Sequence, residues 1–193
     1  MQMCEITNVT ASGTLNFVVD IDKLVDKQIC RRFKQSKSNK NFNGVIYRNK
    51  FACVHIYKNG KVNIMGGKSR ANTTSTYAEL CDLLQAYNAS PLSFSNFCAT
   101  TSCGHVIERS SLFQFLKRQS ETKNVSLEPE LFPSIKWDPR DLPSTVNIFR
   151  TGKINSTGNK NECQARASLQ LALTLIRRVS SRPSTHRFKL FEL

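Results

Sequence analysis

The chain contains the same kind of fourteen-residue block twice, and this repeat limits its possible folds more than any other feature. Residues 55–68 read HIYKNGKVNIMGGK and residues 147–160 read NIFRTGKINSTGNK, with six identical positions. In each copy a glycine, Gly60 or Gly152, separates two β-rich runs, which predicts a strand, a tight turn and a second strand. The copies begin 92 residues apart in a chain of 193. We therefore predict two related halves, residues 1–91 and 92–193, packed into one body.

The segments that flank the repeated block also occur in pairs. The runs 4–12 and 92–100 are both β-rich, and each has an asparagine near its centre, Asn8 and Asn96. A helical pattern follows each run, over 20–33 in the first half and 108–118 in the second, and a further helical pattern ends each half, over 76–87 and 163–179. This order predicts an α+β fold in which the two halves share one continuous sheet.

Strand alternation divides the residues of the repeated block between two faces. One face is apolar and is predicted to be buried under the helices: Val54, Ile56, Val62, Ile64, Val146, Ile148 and Ile154. The opposite face is uncharged and rich in amides and aromatics: His55, Tyr57, Asn63, Met65, Asn147, Phe149, Asn155 and Thr157. Lysine and arginine residues flank that second face. Amides suit base edges, aromatics suit wedges between base steps, and cations suit phosphates, so the pattern favours a protein that reads the DNA minor groove.

The charge balance agrees with a nucleic-acid partner. Lysine and arginine number 28 against 14 acidic residues, a formal net charge of +14, and the excess is divided equally between the two halves. An evenly basic body suits a polyanion that spans both halves. The chain has no apolar run of about 18 residues and no signal-peptide pattern at its start, so we expect no membrane partner and an intracellular location.

The sequence offers little for catalysis or metal binding. Its seven cysteines are scattered without a CxxC pair. Cys98, Cys103 and His105 have a spacing that a zinc knuckle could use, but no fourth ligand lies nearby. The histidines have no carboxylate, serine or cysteine partner at a suggestive spacing. We therefore expect no metal, no cofactor and no enzymatic activity.

Over nearly its whole length the chain resembles the TATA-box-binding protein family. The segment EPELFP (128–133) resembles the family's second stirrup motif, and residues 56–68 and 148–160 resemble its two IF-x-SGK-x-x-x-TGAK blocks. The runs around Asn8 and Asn96 are similar to its paired QN(I/M)V strands. The resemblance implies a saddle, in which a ten-stranded antiparallel sheet is concave toward DNA and carries four helices on its convex side.

The resemblance also implies roles for individual residues. DNA-intercalating wedges correspond to Phe42, Tyr57, Phe132 and Phe149. Minor-groove contacts correspond to Asn8, Asn96, His55, Asn63, Met65, Asn147, Asn155 and Thr157. Phosphate contacts correspond to Arg48, Lys61, Lys68, Arg150, Lys153 and Lys160. The stirrup residues Glu128, Glu130 and Leu131 correspond to a docking site for a transcription factor IIB-like protein. A transcription factor IIA-like protein and the RNA polymerase machinery are further partners that the resemblance implies.

Several positions depart from the family pattern. Tyr57 stands where the family has phenylalanine, and Met65 replaces a threonine. Asp138 lies near the place of a phosphate-binding arginine, whereas Arg48 keeps the equivalent place in the first half. Asparagines replace aliphatic contacts, and an asparagine oxygen can accept from the guanine amino group, the one minor-groove feature that separates G·C from A·T. We therefore expect a relaxed preference for A/T-rich DNA.

The function that the sequence predicts is general transcription initiation. In this hypothesis the protein binds and bends promoter DNA and nucleates a preinitiation complex, in the nucleus or at the site of viral transcription if a virus encodes it. A second hypothesis is a scaffold of the same fold that holds proteins together without bending DNA. A third, the DNA-repair glycosylases with a similar half-saddle, lacks support because we find no helix-hairpin-helix with a catalytic aspartate.

Overall fold

The computed structural model describes residues 4–32 and 44–180, and within these ranges it contains ten strands and four helices. The first half comprises β1 (Glu5–Thr14), α1 (Ile21–Asp26), β2 (Arg31–Arg32), β3 (Gly44–Arg48), β4 (Cys53–Tyr57), β5 (Lys61–Gly67) and α2 (Arg70–Leu83). The second half comprises β6 (Ser93–Ser102), α3 (Arg109–Leu116), β7 (Thr122–Leu127), β8 (Ser134–Pro139), β9 (Thr145–Phe149), β10 (Lys153–Asn159) and α4 (Glu162–Ser180).

All ten strands belong to a single antiparallel sheet in the order β2-β3-β4-β5-β1-β6-β10-β9-β8-β7. Counted from either edge, the strands of the first half occur in the same order as their equivalents in the second half, and β1 and β6 pair at the centre. Asn8 lies opposite Cys98 and Thr10 lies opposite Asn96, so the two halves are related by a pseudo-twofold axis between these strands. The predicted α+β saddle, one curved sheet made by two halves with four helices on its convex side, is confirmed.

The two glycines of the repeated block make the hairpin turns, as predicted. Gly60 and Gly152 have φ angles of +82° and +86°, a backbone conformation that side chains with a Cβ atom rarely adopt. Each turn also packs against the chain that follows the first strand of its half, since the Leu15 amide donates to the Gly60 carbonyl and the Cys103 amide to the Gly152 carbonyl, both at 2.9 Å. A Cβ at either glycine would collide with a carbonyl of that segment. The turns therefore fix the hairpins to the centre of the sheet.

The core lies between the sheet and the helices, in two clusters that correspond to the two halves. The seven valines and isoleucines predicted to be buried are at most 1% exposed. The largest fully buried side chain is Trp137 in β8, whose indole nitrogen donates to the hydroxyl of Thr122 at 2.9 Å. In the part of the chain that the structure describes, the four helices pack on this side of the sheet and none covers the other side. No helix in the described ranges is long and apolar enough to cross a bilayer.

Two predicted helices have different limits in the structure. The helix predicted over 20–33 ends at Asp26, because Gln28 has a φ of 57° and the chain then joins the sheet edge as β2. The helix predicted over 76–87 begins at Arg70, where the Ser69 side chain accepts from the Asn72 amide at 3.0 Å. In the first turns of this helix the buried residues are Thr73 and Thr76. Because threonine is not apolar, the periodicity of apolar residues did not reveal that part of the helix.

Candidate nucleic-acid interface

The side of the sheet opposite the helices carries the residues that alternation assigned to it, and we call this side the open face. The hairpins β4–β5 and β9–β10 present eight half-buried side chains there, namely His55, Tyr57, Asn63, Met65, Asn147, Phe149, Asn155 and Thr157. Each of these residues lies between two buried core residues or at the end of such a run. The open face is therefore one surface that crosses both halves, with equivalent positions related by the pseudo-twofold axis.

Asn8 and Asn96 occupy equivalent positions on the two central strands, and their side-chain oxygens accept equivalent hydrogen bonds. The side-chain oxygen of Asn8 accepts from the Gly66 amide at 2.7 Å, and that of Asn96 accepts from the Gly158 amide at 2.8 Å. Both glycines have positive φ angles. Each NH2 group also donates along its own strand, that of Asn8 to the Thr10 hydroxyl at 3.4 Å and that of Asn96 to the Cys98 sulfur at 3.5 Å, so one N–H of each remains for a partner. The centre of the open face therefore presents two hydrogen-bond donors about the pseudo-twofold axis.

The asparagines of the second hairpin also accept hydrogen bonds within the protein through their side-chain oxygens. Asn155 accepts through its side-chain oxygen from the Thr100 hydroxyl at 2.8 Å, and Asn147 accepts from the Ser134 hydroxyl at 3.5 Å. In the first half Asn63 is reversed, since its NH2 group donates to the Tyr57 hydroxyl at 3.5 Å. We expected asparagine oxygens to be offered on this face, and among the described residues Asn63 is the one of these asparagines whose side-chain oxygen accepts no hydrogen bond within the protein.

An aromatic pair stands at the outer end of the open face in the second half. The rings of Phe132 and Phe149 are 5.9 Å apart between centroids at an interplanar angle of 66°, and Phe132 is 49% exposed. Phe132 is held by its backbone amide, which donates to the Glu128 carbonyl at 2.9 Å, and Arg109 of α3 donates to the next carbonyl, that of Pro133, at 3.0 Å. In the first half Tyr57 is half-buried at the end of β4, and Phe42 lies outside the described residues.

Exposed cations surround the open face. Lys61 and Lys153 begin β5 and β10 on the same side as Asn63 and Asn155, directly after the turn glycines. Arg48, Lys68, Arg150 and Lys160 are also exposed. The contacts of these residues are weak: Lys68 is 3.9 Å from a Glu5 carboxylate oxygen, and the Lys160 ammonium is 3.5 Å from the Ser95 carbonyl. Exposed pairs of this kind contribute little, so these cations can rearrange toward an anionic partner.

Lys136 is a further cation that our sequence analysis missed. It is exposed on β8 between the buried Ile135 and Trp137, and it lies opposite Asn147 on the open face. Its first-half equivalent is Ile46, which lies opposite His55. The same alternation that we applied to the hairpins identifies Lys136 when it is applied to β8. Two residues further on, Asp138 accepts from the Thr145 hydroxyl at 2.7 Å. In β3 the cation, Arg48, is the fifth residue of the strand. In the equivalent strand β8 the fifth residue is Asp138, and the cation, Lys136, is the third residue.

The middle of the first hairpin is electrically neutral. Burial lowers the pKa of His55 from its usual value, and the positive charge of Arg48 lowers it further. A pKa below 6.5 leaves the imidazole uncharged at neutral pH. Burial also raises the pKa of the Cys98 thiol at the centre of the sheet, so this group stays protonated. The floor of the open face in this region is thus polar and uncharged.

The loop between β7 and β8 forms an exposed tip. Glu128, Glu130 and Leu131 are all exposed, and Leu131 is 81% exposed. A shallow groove of about 420 Å³ lies beside the tip, between Pro129 and Leu127 on one side and Val106, Arg109 and Arg150 on the other. The tip thus combines two carboxylates with an unpartnered apolar side chain, next to a groove of mixed polarity.

The structure does not assemble the zinc knuckle that the spacing of Cys98, Cys103 and His105 allowed. The Cys103 thiol donates to the His105 carbonyl at 3.3 Å, and Cys98 lies on the open face beside Asn96. Within residues 4–32 and 44–180, no group of three or more histidine, cysteine, aspartate or glutamate side chains could hold a metal ion.

The fold and the open face define a class of protein: a two-repeat antiparallel saddle with helices on one side and a cation-rimmed amide surface on the other. The family model described as "Transcription factor TFIID (or TATA-binding protein, TBP)" matches residues 3–87 and 92–179. The chain therefore belongs to the TATA-binding protein family, whose members are non-enzymatic transcription factors.

Individual relatives and a solved structure agree with this assignment. The chain is 29% identical over 164 residues to "TATA-box-binding protein 2" of Methanosarcina acetivorans, covering 80% of this chain and 84% of that protein. It is 26% identical over 167 residues to the TATA-box-binding protein of Pyrococcus abyssi, covering 83% and 82% respectively. The structure of the Methanococcus jannaschii TBP superposes with a TM-score of 0.67 over 92% of this chain and 99% of that one. At 23% identity, this last likeness concerns the fold alone.

Proposed function

We propose that this protein binds double-stranded promoter DNA through the open face, from the minor groove, and bends it to begin assembly of a transcription initiation complex. The observation that carries the proposal is the pair of central donors, Asn8 and Asn96. Their oxygens accept from the Gly66 and Gly158 amides. Each NH2 group donates one hydrogen to Thr10 or Cys98 and keeps a second hydrogen for a partner, on either side of the pseudo-twofold axis. A·T pairs present only acceptors in the minor groove, and these donors match them.

The remaining features of the open face suit the same partner. Phe132 and Phe149 form an apolar edge that can enter between base steps, and insertion of such wedges unstacks and kinks a duplex toward the major groove. Exposed lysines and arginines around the sheet can neutralise phosphates on both strands. Relatives that carry the name TATA-box-binding protein support A/T-biased DNA as the ligand. The protein then acts in the nucleus, or at the site of viral transcription if it is encoded by a virus.

A salt titration distinguishes the proposed DNA binding from a scaffold of the same fold that does not bind DNA. We expect affinity for a short A/T-rich duplex to fall with salt, with a slope of about −0.9 in log–log coordinates for each phosphate neutralised. Lys136→Gln and Lys153→Gln should each make that slope shallower by about one phosphate. Lys23→Gln on α1, which removes the same charge on the helix side, is the matched control and should leave the slope unchanged. A scaffold without DNA binding would show no salt-dependent association at all.

The exposed tip between β7 and β8 is the proposed docking site for a transcription factor IIB-like protein. Glu128, Glu130 and Leu131 project from the tip, whereas the neighbouring Phe132 turns toward the open face. A transcription factor IIA-like protein and the RNA polymerase machinery would join the complex through other surfaces. Glu128 and Leu131 line a hollow of about 580 Å³ together with Lys136, Asn147 and Thr157 of the open face, so the tip adjoins the proposed DNA surface. Glu130 does not line that hollow and is the tip residue best suited to test docking apart from DNA binding.

Charge reversal at Glu130 tests this docking site. Glu130→Arg is expected to abolish capture of a transcription factor IIB-like protein in a pull-down on a promoter duplex, because a like-charge contact replaces an attractive one. DNA affinity measured without the partner should stay within about twofold. Asp82→Arg on α2 makes the same charge change away from the tip and should leave capture intact. Equal capture by wild type and Glu130→Arg would remove this residue from the partner site.

A further inference from the structure

We infer that the two halves of the open face read different base pairs. The half that carries Asn63 accepts a G·C pair beneath it, whereas the half that carries Asn155 and Asn147 selects A·T. This inference rests on the proposed function, since it concerns the minor-groove contacts of the same surface. It assigns a difference between two positions, Asn63 and Asn155, that are identical in the repeat and occupy equivalent places on β5 and β10.

The difference begins with the neighbours of the two asparagines. Asn155 lies opposite Thr100 on β6, and the single hydroxyl hydrogen of Thr100 is placed to donate to the Asn155 side-chain oxygen at 2.8 Å, with the Ile154 carbonyl as a longer alternative acceptor at 3.1 Å. Asn63 lies opposite Ser12 on β1, and among the described residues no hydrogen bond joins the two side chains. Its NH2 group donates to the Tyr57 hydroxyl, and no described residue donates to its oxygen.

Asn147, which lies next to Asn155 on the sheet, also has a hydroxyl beside its side-chain oxygen. Asn147 accepts from the Ser134 hydroxyl in a long contact of 3.5 Å, and Ser134 is 2% exposed. In the first half the place of Ser134 is taken by Gly44, which has no hydroxyl, and the place of Asn147 is taken by His55. The second half therefore has two hydroxyls that engage asparagine oxygens, and the first half has neither arrangement.

The polarity of an amide decides which base pair it favours. In the minor groove both A·T orientations offer only acceptors, whereas G·C adds the guanine amino group, a donor. The NH2 groups of Asn155 and Asn147 would meet that amino group donor to donor, which excludes G·C. The oxygen of Asn63 would accept from it, which admits G·C. The expected recognition site is thus asymmetric although the fold is nearly symmetric, and this asymmetry would orient the protein on its promoter.

Binding measurements on a set of defined duplexes test the inference. Each duplex carries one A·T to G·C replacement, and together they scan every position of an A/T-rich site that has been selected from random sequence. For the wild type, replacements in one half of the site should lower affinity less than about threefold, and replacements in the other half by about tenfold or more. A profile that is equal in the two halves would overturn the inference.

Two matched variants assign the tolerant half to Asn63. In Asn63→Val the acceptor is lost, so the G·C penalty in the tolerant half, measured relative to that variant's own affinity for the all-A/T site, should rise to about tenfold. Asn155→Val, the same change at the equivalent position, should leave the profile of the tolerant half as in the wild type. Unchanged G·C tolerance in Asn63→Val would overturn the assignment. Failure of the wild type to bind any duplex at low salt would instead overturn the proposed function, and the inference with it.

Discussion

Replacement of Phe149 or Phe132 by alanine is expected to remove most of the DNA bend and to weaken binding by one to two orders of magnitude. The two rings contact each other edge to face, so each positions the other at the outer end of the open face. An aromatic ring stacked on a base contributes about 1–3 kcal/mol when it is tested by truncation to alanine. Because the rings are in contact, the double variant should lose less than the sum of the single losses.

Energy transfer between fluorophores on the ends of a short A/T-rich duplex measures the bend. The wild type should bring the ends closer, and Phe132→Ala and Phe149→Ala should restore the straight duplex more completely than Tyr57→Ala does. Phe51→Ala is the control, since Phe51 is an exposed aromatic in a loop whose Asn49 hydrogen bonds to Thr76 and Glu79 on the helix side. Unchanged transfer when the wild type saturates the duplex would contradict bending and favour the scaffold hypothesis.

Conversion of Asn8 and Asn96 to aspartate is expected to have a still larger effect on DNA binding. Aspartate keeps the oxygen that accepts from Gly66 or Gly158, but it replaces the NH2 donor by a carboxylate oxygen. That oxygen would face the acceptors of the minor groove and add a negative charge against DNA. A like-charge contact of this kind costs several kcal/mol, so each single variant should bind at least about a hundredfold more weakly and the double variant should not bind measurably.

The aspartate variants need a control for charge and a control for folding. Gln170→Glu changes an amide to a carboxylate at an exposed position of α4, on the helix side, and should alter DNA affinity by less than about threefold. The thermal unfolding midpoints of Asn8→Asp and Asn96→Asp should stay close to that of the wild type, because the hydrogen bonds to the glycine amides are retained. Binding by either variant at wild-type strength would mean that the central asparagines do not contact bases.

Local patterns in the sequence were sufficient for the two hairpins, their buried faces and a sheet shared by two halves, whereas the ten-stranded saddle followed from the family resemblance. The repeated block predicted both hairpins, and period-two alternation separated the buried Val54 and Ile56 from His55 and Tyr57 on the open face. The paired runs around Asn8 and Asn96 predicted equivalent positions in the two halves. These predictions succeeded because a strand's two faces and a glycine turn depend on residues that are close together in the chain.

Tertiary contacts decided what local patterns do not contain. The helix at 20–33 ends early because the chain leaves it to pair with β3 at the sheet edge, and α2 begins early because buried threonines extend its inner face. Tertiary contacts also decide whether the oxygen or the NH2 group of each asparagine side chain is hydrogen bonded within the protein. Asn155 and Asn63 are the same residue in the same motif, but their partners are Thr100, 55 residues away on β6, and the nearby Tyr57. The sequence by itself determined which side chains reach the open face, whereas the hydrogen bonds that orient them depend on strands brought together only by the fold.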